Sequence, residues 1–338
     1  MDDPGILYLD NAAVRAAMPD VATRIELAER TMLALVEDAD LPPKIGVHAR
    51  PPGSFGHAMP ALLRGSAADA SGDLLGVKWV VGFPANAEHG LPAISATVIL
   101  SDPLTGRTTA ILDGAPITAD RTAAVSGVAI RHWGPQARSG SSADATRGAK
   151  VAILGAGVQG RSHLPVIGHL LPGAQLVIHD RHPDRAQAVA ELARGTPGIT
   201  TASTAASSHE ATDGADVVIT AIAFGPVRQT LRRADLAPNA LVIAVDYATS
   251  VHHEVALAAG LFLVDERGQF DANRSAGLFD AYPDPHATIG LALREGVQRS
   301  SEGRVLVSHL GVGLADLVFG DAIARAARAA GLGLRLAR

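Results

Sequence analysis

The chain has 338 residues, 47% hydrophobic and only 4% aromatic, with 35 glycines and 20 prolines; that length allows two domains with cores of Ala, Val, Leu and Ile, as in α/β proteins. It contains no cysteine, which excludes disulfides, thiolate zinc sites and cysteine nucleophiles. Its formal net charge is −5 and no dense Lys/Arg block occurs, which argues against nucleic acid or an anionic membrane as partner.

The opening MDDPGILYLD is acidic and lacks a basic region followed by an apolar one, and no apolar run reaches the roughly 18 residues of a membrane span. A cytoplasmic protein is expected. Residues 16–38 carry apolar side chains at helical spacing and read as one amphipathic helix. After LPPK the segments KIGVHAR, HAMPALL, LLGVKWVVGF, ISATVILSD and TTAILDG are short, partly alternating and separated by Gly, Pro and Asp; they read as antiparallel strands, with residues 101–107 as a hairpin turn. Residues 116–133 read as a helix, and the Gly/Ser/Ala-rich stretch 134–150 as a linker.

From residue 151 the pattern becomes strand, helix, strand, helix. VAILGAG leads to a helix near 158–171 and the strand AQLVIHD; a helix at 183–194 precedes ITTAS, ADVVITAIA, ALVIAVD and GLFLVDE. This spacing predicts a doubly wound parallel sheet of the Rossmann type. The segment 305–331 begins with VLVSHLGVGLADLVFG and continues as an Ala-rich helix.

The strand ending at Leu154 runs into Gly155-Ala156-Gly157-Val158-Gln159-Gly160. Gly155 permits a tight turn, Gly157 lets the backbone approach a pyrophosphate, and Gly160 allows close helix–strand packing, with N–H donors of the helix start facing the phosphates. Asp180 closes the next strand, where an acid binds the ribose hydroxyls of NAD and repels a 2′-phosphate. Arg181 beside it keeps NADP open as the second choice of cofactor.

Three separated motifs, GVKWVVGFPAN (76–86), ILDGAPITADRTAAVSGVA (111–129) and VAILGAGVQGRSH (151–163), resemble the ornithine cyclodeaminase/mu-crystallin family in the family's own order. The resemblance implies a substrate-binding and dimerisation domain over 1–130, an inserted dinucleotide domain over 131–304, and a segment 305–338 returning to the first. It implies that Lys78 faces the substrate beside the nicotinamide, that Arg121 grips the substrate carboxylate, that Lys44 stands where an arginine often touches the same group, and that Thr122 meets a cofactor phosphate. A fixed cation suits an amino or imino acid whatever the family, and Arg offers a bidentate fork. A lysine inside an apolar strand needs a partner or a task, and no acid occupies the neighbouring strand positions.

Three departures stand out. His57 replaces the glutamate that engages the distal amine in ornithine cyclodeaminases. Ala248 aligns with the aspartate base of those enzymes, while Asp246, two residues earlier, is a shifted base, a ribose ligand or a turn cap. His309 replaces the serine of a Ser-Leu-Gly segment near the nicotinamide. No metal site is expected: the His252-His253-Glu254 cluster reads as a helix start. The sequence therefore points to an NAD(P)-dependent oxidoreductase acting at the Cα–N bond of a small amino-acid or imine substrate, with Lys78 or Asp246 handling protons. A cyclodeaminase with catalytic NAD and a non-enzymatic binder of mu-crystallin type are the alternatives. A homodimer built on the strands of 44–112 is expected, since their sheet would otherwise leave edges open.

Overall fold

A computed structural model describes residues 5–65, 70–135, 148–223, 229–300 and 302–337; most of the linker expected at 134–150 thus lies outside the described residues. The chain divides into two compact units, Met1–Arg121 with Gly311–Arg338, and Thr122–Leu310.

The first unit begins with β1 (Ile6–Leu9), α1 (Asn11–Ala16) and α2 (Val21–Glu37), continues through β2 (Ala39–Asp40), β3 (Ile45–Val47), β4 (Phe55–Leu63), β5 (Leu74–Gly82), β6 (Ile94–Ser101) and β7 (Thr108–Asp113), and enters α3 (Gly114–Trp133), in which the second unit starts. The single helix expected over 16–38 is instead broken before residue 21. Pro19 disfavours helical backbone at Met18, and Asp20 restarts the helix as its N-cap, accepting the Thr23 N–H at 2.8 Å. The hairpin at 101–107 forms as its residues dictate: Asp102 accepts from the N–H groups of Leu104 and Thr105, and Gly106 takes φ +70°.

The second unit runs β8 (Lys150–Leu154), α4 (Val158–Leu170), β9 (Ala174–His179), α5 (Pro183–Arg194), β10 (Ile199–Thr204), α6 (Ser208–Thr212), β11 (Val217–Thr220), β12 (Leu241–Ala244), α7 (His253–Leu257), β13 (Leu261–Val264), α8 (Arg267–Ser275), β14 (Ala287–Thr288), α9 (Ile289–Arg294) and β15 (Val305–Ser308). Its eight strands lie in the order β10-β9-β8-β11-β12-β15-β13-β14 and all pair in parallel. This is the doubly wound α/β sheet that the sequence pattern predicts. The central strands VVIT, LVIA, LFLV and VLVS are buried at every position, as a sheet covered on both faces requires. The winding reverses between β8 and β11, and such a reversal opens a ligand crevice at the carboxyl ends of the strands.

The chain returns to the first unit as α10 (Gly313–Ala330) and β16 (Leu334–Leu336). The sheet order there is β16-β1-β7-β6-β5-β4-β2, with β3 also on β4. The β4 to β7 meander is antiparallel, β1 is parallel to β7, and β16 closes the edge antiparallel to β1. Residues alternate between faces along each strand. One face carries Met59, Lys78 and Val98 side by side, all buried and covered by α10. The opposite face carries Ile45, Ala58, Trp79 and Thr97 in one row. Ile45 is 60% exposed, Val47 58% and Trp79 42%.

Candidate functional site

The second unit builds a cradle at its sheet reversal. Gly155 ends β8 with φ +107°, and a side chain there would lie 2.4 Å from the Ala221 carbonyl oxygen. Gly160 is just as constrained, since an added Cβ would stand 2.2 Å from the Gly155 carbonyl oxygen. Gly157 differs: it is the extended N-cap of α4 and nothing lies within 4 Å of its Cβ direction. Two glycines are thus imposed by the fold, and the middle one leaves room where a pyrophosphate would approach. Val158, the first residue of α4, is 69% exposed.

Asp180 follows β9 and braces this loop. Its Oδ2 accepts the Ala156 N–H and its Oδ1 the His182 N–H, each at 2.8 Å. A carboxylate has about four acceptor sites, so two backbone bonds fix its orientation and leave capacity for ribose hydroxyls. Arg181 is exposed and its Nε donates to His182 Nε2 at 3.1 Å.

Gln159 opens a buried hydrogen-bond chain. Its carbonyl oxygen can only accept, so His163 Nδ1, 2.6 Å away, carries a proton. Burial pushes the His163 pKa down to about 4, so its Nε2 is a bare acceptor at neutral pH. Ser126 Oγ, 2.8 Å from that nitrogen, donates to it and must then accept from His309 Nε2 at 2.9 Å. The chain of donors fixes the tautomer of His163 and places a proton on His309 Nε2. Thr122 is buried on α3.

Asp246 lies just beyond β12, buried, with Oδ1 accepting from Thr220 Oγ1 at 2.8 Å and Oδ2 from Ser250 Oγ at 2.6 Å. A weaker contact from the Ile222 N–H, at 3.4 Å, completes its surroundings. It ties the turn after β12 to the end of β11. Burial raises its pKa to about 6, against the lowering by those hydroxyl bonds. Ala248 is buried too. Among the described residues no group of three His, Cys, Asp or Glu side chains could hold a metal ion, and His252 caps α7 by accepting the Glu254 N–H.

The first unit builds a separate cluster around Lys78. Its ammonium, 1% exposed, donates to Asp316 Oδ1 at 3.0 Å, and Arg121 Nε donates to the same oxygen at 3.2 Å. The guanidinium lies under Gly311, where an added Cβ would come within 2.7 Å of both terminal nitrogens; φ there is +78°. Burial lowers the Lys78 pKa to about 8; Asp316 opposes the fall, while Arg121 and Lys44 add to it. Burial, with Lys44 and His48 adding to it, lowers the His57 pKa to about 4, and its ring stacks on Phe55 at 4.5 Å. The partner of Lys78 is Asp316, an acid that inspection of the neighbouring strand positions missed. The available signal was a lone carboxylate in the apolar run LGVGLADLVFG, as improbable a burial as that of Lys78 itself.

The profile of the ornithine cyclodeaminase/mu-crystallin family matches residues 12–249. The chain belongs to that family. It is similar to the nodulation efficiency protein NfeD of Rhizobium meliloti, 28% identical over 86% of each chain. It is also similar to the Δ1-pyrroline-2-carboxylate reductase of Bacillus cereus, 27% identical over 82% of this chain and 84% of the relative. Among solved structures, the Thermococcus litoralis Δ1-pyrroline-2-carboxylate reductase in complex with NADH and L-proline has the same fold, with a TM-score of 0.82 and 23% identity over 98% of this chain and 100% of that one. The structure brings Lys78 and Arg121 onto one oxygen of Asp316, and Ala248 is buried.

Proposed function

We propose that this chain is an NAD-dependent imine reductase that acts at the Cα–N bond of a 2-imino acid and, in reverse, oxidises the corresponding amino acid. The observation that carries this reading is the Lys78–Asp316–Arg121 cluster: two buried cations on one carboxylate oxygen keep one positive charge over, which suits a monoanionic acid. Substrate binding is assigned to the first unit and cofactor binding to the second.

The cradle suits a dinucleotide. Gly157 has the open approach, the N–H groups starting α4 would hold the pyrophosphate, and Asp180 would take the ribose hydroxyls in preference to a 2′-phosphate. When bound, the nicotinamide would accept or supply the hydride. Arg121 and Lys78 orient the substrate carboxylate, and the lowered pKa lets Lys78 exchange a proton near neutral pH.

The reductase reading is favoured over a cyclodeaminase by two positions. A base in the loop after β12 would have to be Asp246, which the fold uses to tie the turn after β12 to the end of β11 through Ser250 and Thr220. A partner for a distal ammonium would have to be His57, which is neutral at pH 7. The test is a panel of imino acids and of 2-oxo acids with ammonia or methylamine, each with NADH and NADPH, following loss of the reduced nicotinamide. Consumption with NADH supports the reading. Ammonia release from diamino acids without net cofactor turnover would replace it by the cyclodeaminase. The uncovered apolar row with Trp79 supports a homodimer through the first unit.

A further inference from the structure

Asp316 is used asymmetrically. Oδ1 takes both Lys78 Nζ and Arg121 Nε, while Oδ2, equally buried, receives no donor among the described residues. A buried carboxylate oxygen without a donor is destabilising, and native structures seldom keep one without a reason. The residues around it restrict what could supply the donor. Lys78 Nζ and Arg121 Nε donate to the other oxygen and no N–H of either reaches Oδ2, and the neighbours of Lys78 across the sheet, Met59 and Val98, offer no side-chain donor. The donor is therefore sought in a ligand.

We propose that Asp316 reads the nitrogen of the substrate: Oδ2 accepts its N–H while Lys78 and Arg121 take its carboxylate. This deepens the imine-reductase reading and rests on it. An imino acid presents a carboxylate and, once protonated, an N–H donor one bond from the same carbon. A 2-oxo acid presents the same carboxylate but an oxygen that only accepts, so it sets acceptor against acceptor beside Oδ2. Asp316 thereby selects nitrogen over oxygen at Cα, a discrimination that a carboxylate clamp alone does not give.

The same contact favours reduction. An imine accepts hydride readily as its protonated iminium, and a carboxylate against that N–H stabilises the positive charge. A hydride from the reduced dinucleotide then bonds to Cα with its electron pair. The C=N π pair moves onto nitrogen, the nitrogen keeps its proton, and the products are the neutral amine and the oxidised dinucleotide. No oxidant is needed, and the only proton required is the one that makes the neutral imine an iminium, which Lys78 is placed to give.

Two rigid planar acids test this without turnover: pyrrole-2-carboxylate, with a ring N–H, and furan-2-carboxylate, of the same shape with an oxygen there. Both are titrated calorimetrically into the chain saturated with NAD⁺. The proposal expects the pyrrole acid to bind at least about tenfold more tightly. Asp316→Asn sharpens the test, because Lys78 and Arg121 require the amide oxygen at the Oδ1 position and so force NH₂ into the place of Oδ2. That variant should reverse the preference, with the furan acid binding more tightly than the pyrrole acid. Equal affinities in the unaltered protein, or a variant that loses both ligands in the same proportion, would overturn the proposal and reduce Asp316 to a support for the cations. If the variant does not fold, the ratio measured on the unaltered protein decides. If that protein binds neither acid, the carboxylate clamp and the function built on it fail instead.

Discussion

Replacing Lys78 by methionine asks whether the buried ammonium serves chemistry or only the fold. Methionine keeps an unbranched stem of similar length and removes the charge. Deleting one partner of a buried ion pair costs about 3–5 kcal/mol when the other is left uncompensated. Here Arg121 Nε remains on the same Asp316 oxygen at 3.2 Å, so the carboxylate keeps a cation, and the unfavourable desolvation of the ammonium is relieved. The net loss should be about 1–2 kcal/mol, which lowers the Tm by a few degrees and leaves a folded protein. NAD⁺ affinity should be unchanged, because no cradle residue belongs to the first unit. Turnover should fall by at least about 10²-fold, the low end for removing a positioned proton-transfer group. The assays are thermal unfolding, cofactor titration and NADH consumption with the imino acid that the panel selects. A variant that binds NAD⁺ normally and turns over at near the original rate would show that Lys78 is structural.

Three further outcomes are expected. Burial holds Lys78 at about 8 in the fold against an ordinary value of 10.5; between these pH values the unfolded chain binds more protons, so stability rises with pH there, while KM for the acid rises as Lys78 loses its charge above about pH 8. A KM flat to pH 10 would contradict this. Gly157→Ala meets no atom within 4 Å and should keep stability within about 0.5 kcal/mol while weakening NAD⁺ by at least about tenfold, whereas Gly155→Ala, strained at φ +107° and 2.4 Å from a carbonyl oxygen, should destabilise the unit itself; equal stability losses in urea unfolding would refute the distinction. Light scattering at micromolar concentration should give a dimer mass, and Trp79→Glu, a charge on the exposed apolar row, should shift it to the monomer; a monomeric unaltered chain would remove the interface.

The parts of this protein written in local sequence were legible. The glycine turn, the strand bearing Lys78 and the hairpin at Asp102 each rest on residues within a few positions of one another, and Asp180 is marked by the strand it follows. What could not be read depends on distant chain segments. Lys78 and Asp316 are 238 residues apart, and nothing near Lys78 announces its partner. The β1–β16 edge joins the two ends of the chain through strands too short to give a period. The break at Pro19 was visible but was overridden by the apolar spacing on either side. The order Gln159–His163–Ser126–His309 needed three elements in place before the proton positions followed.

The central claim is that chemistry occurs at Cα of an acid whose nitrogen becomes an amine. Its most direct measurement is the fate of deuterium from [4-²H]NADH, both faces of C4 being labelled in turn, incubated with the chain and the imino acid that the panel selects. The expected result is the amino acid carrying one deuterium at Cα, from one labelled face only, with an equal amount of NAD⁺ formed. Amino-acid formation without label from either face, or no reaction with any imino acid despite tight NADH binding, would contradict it.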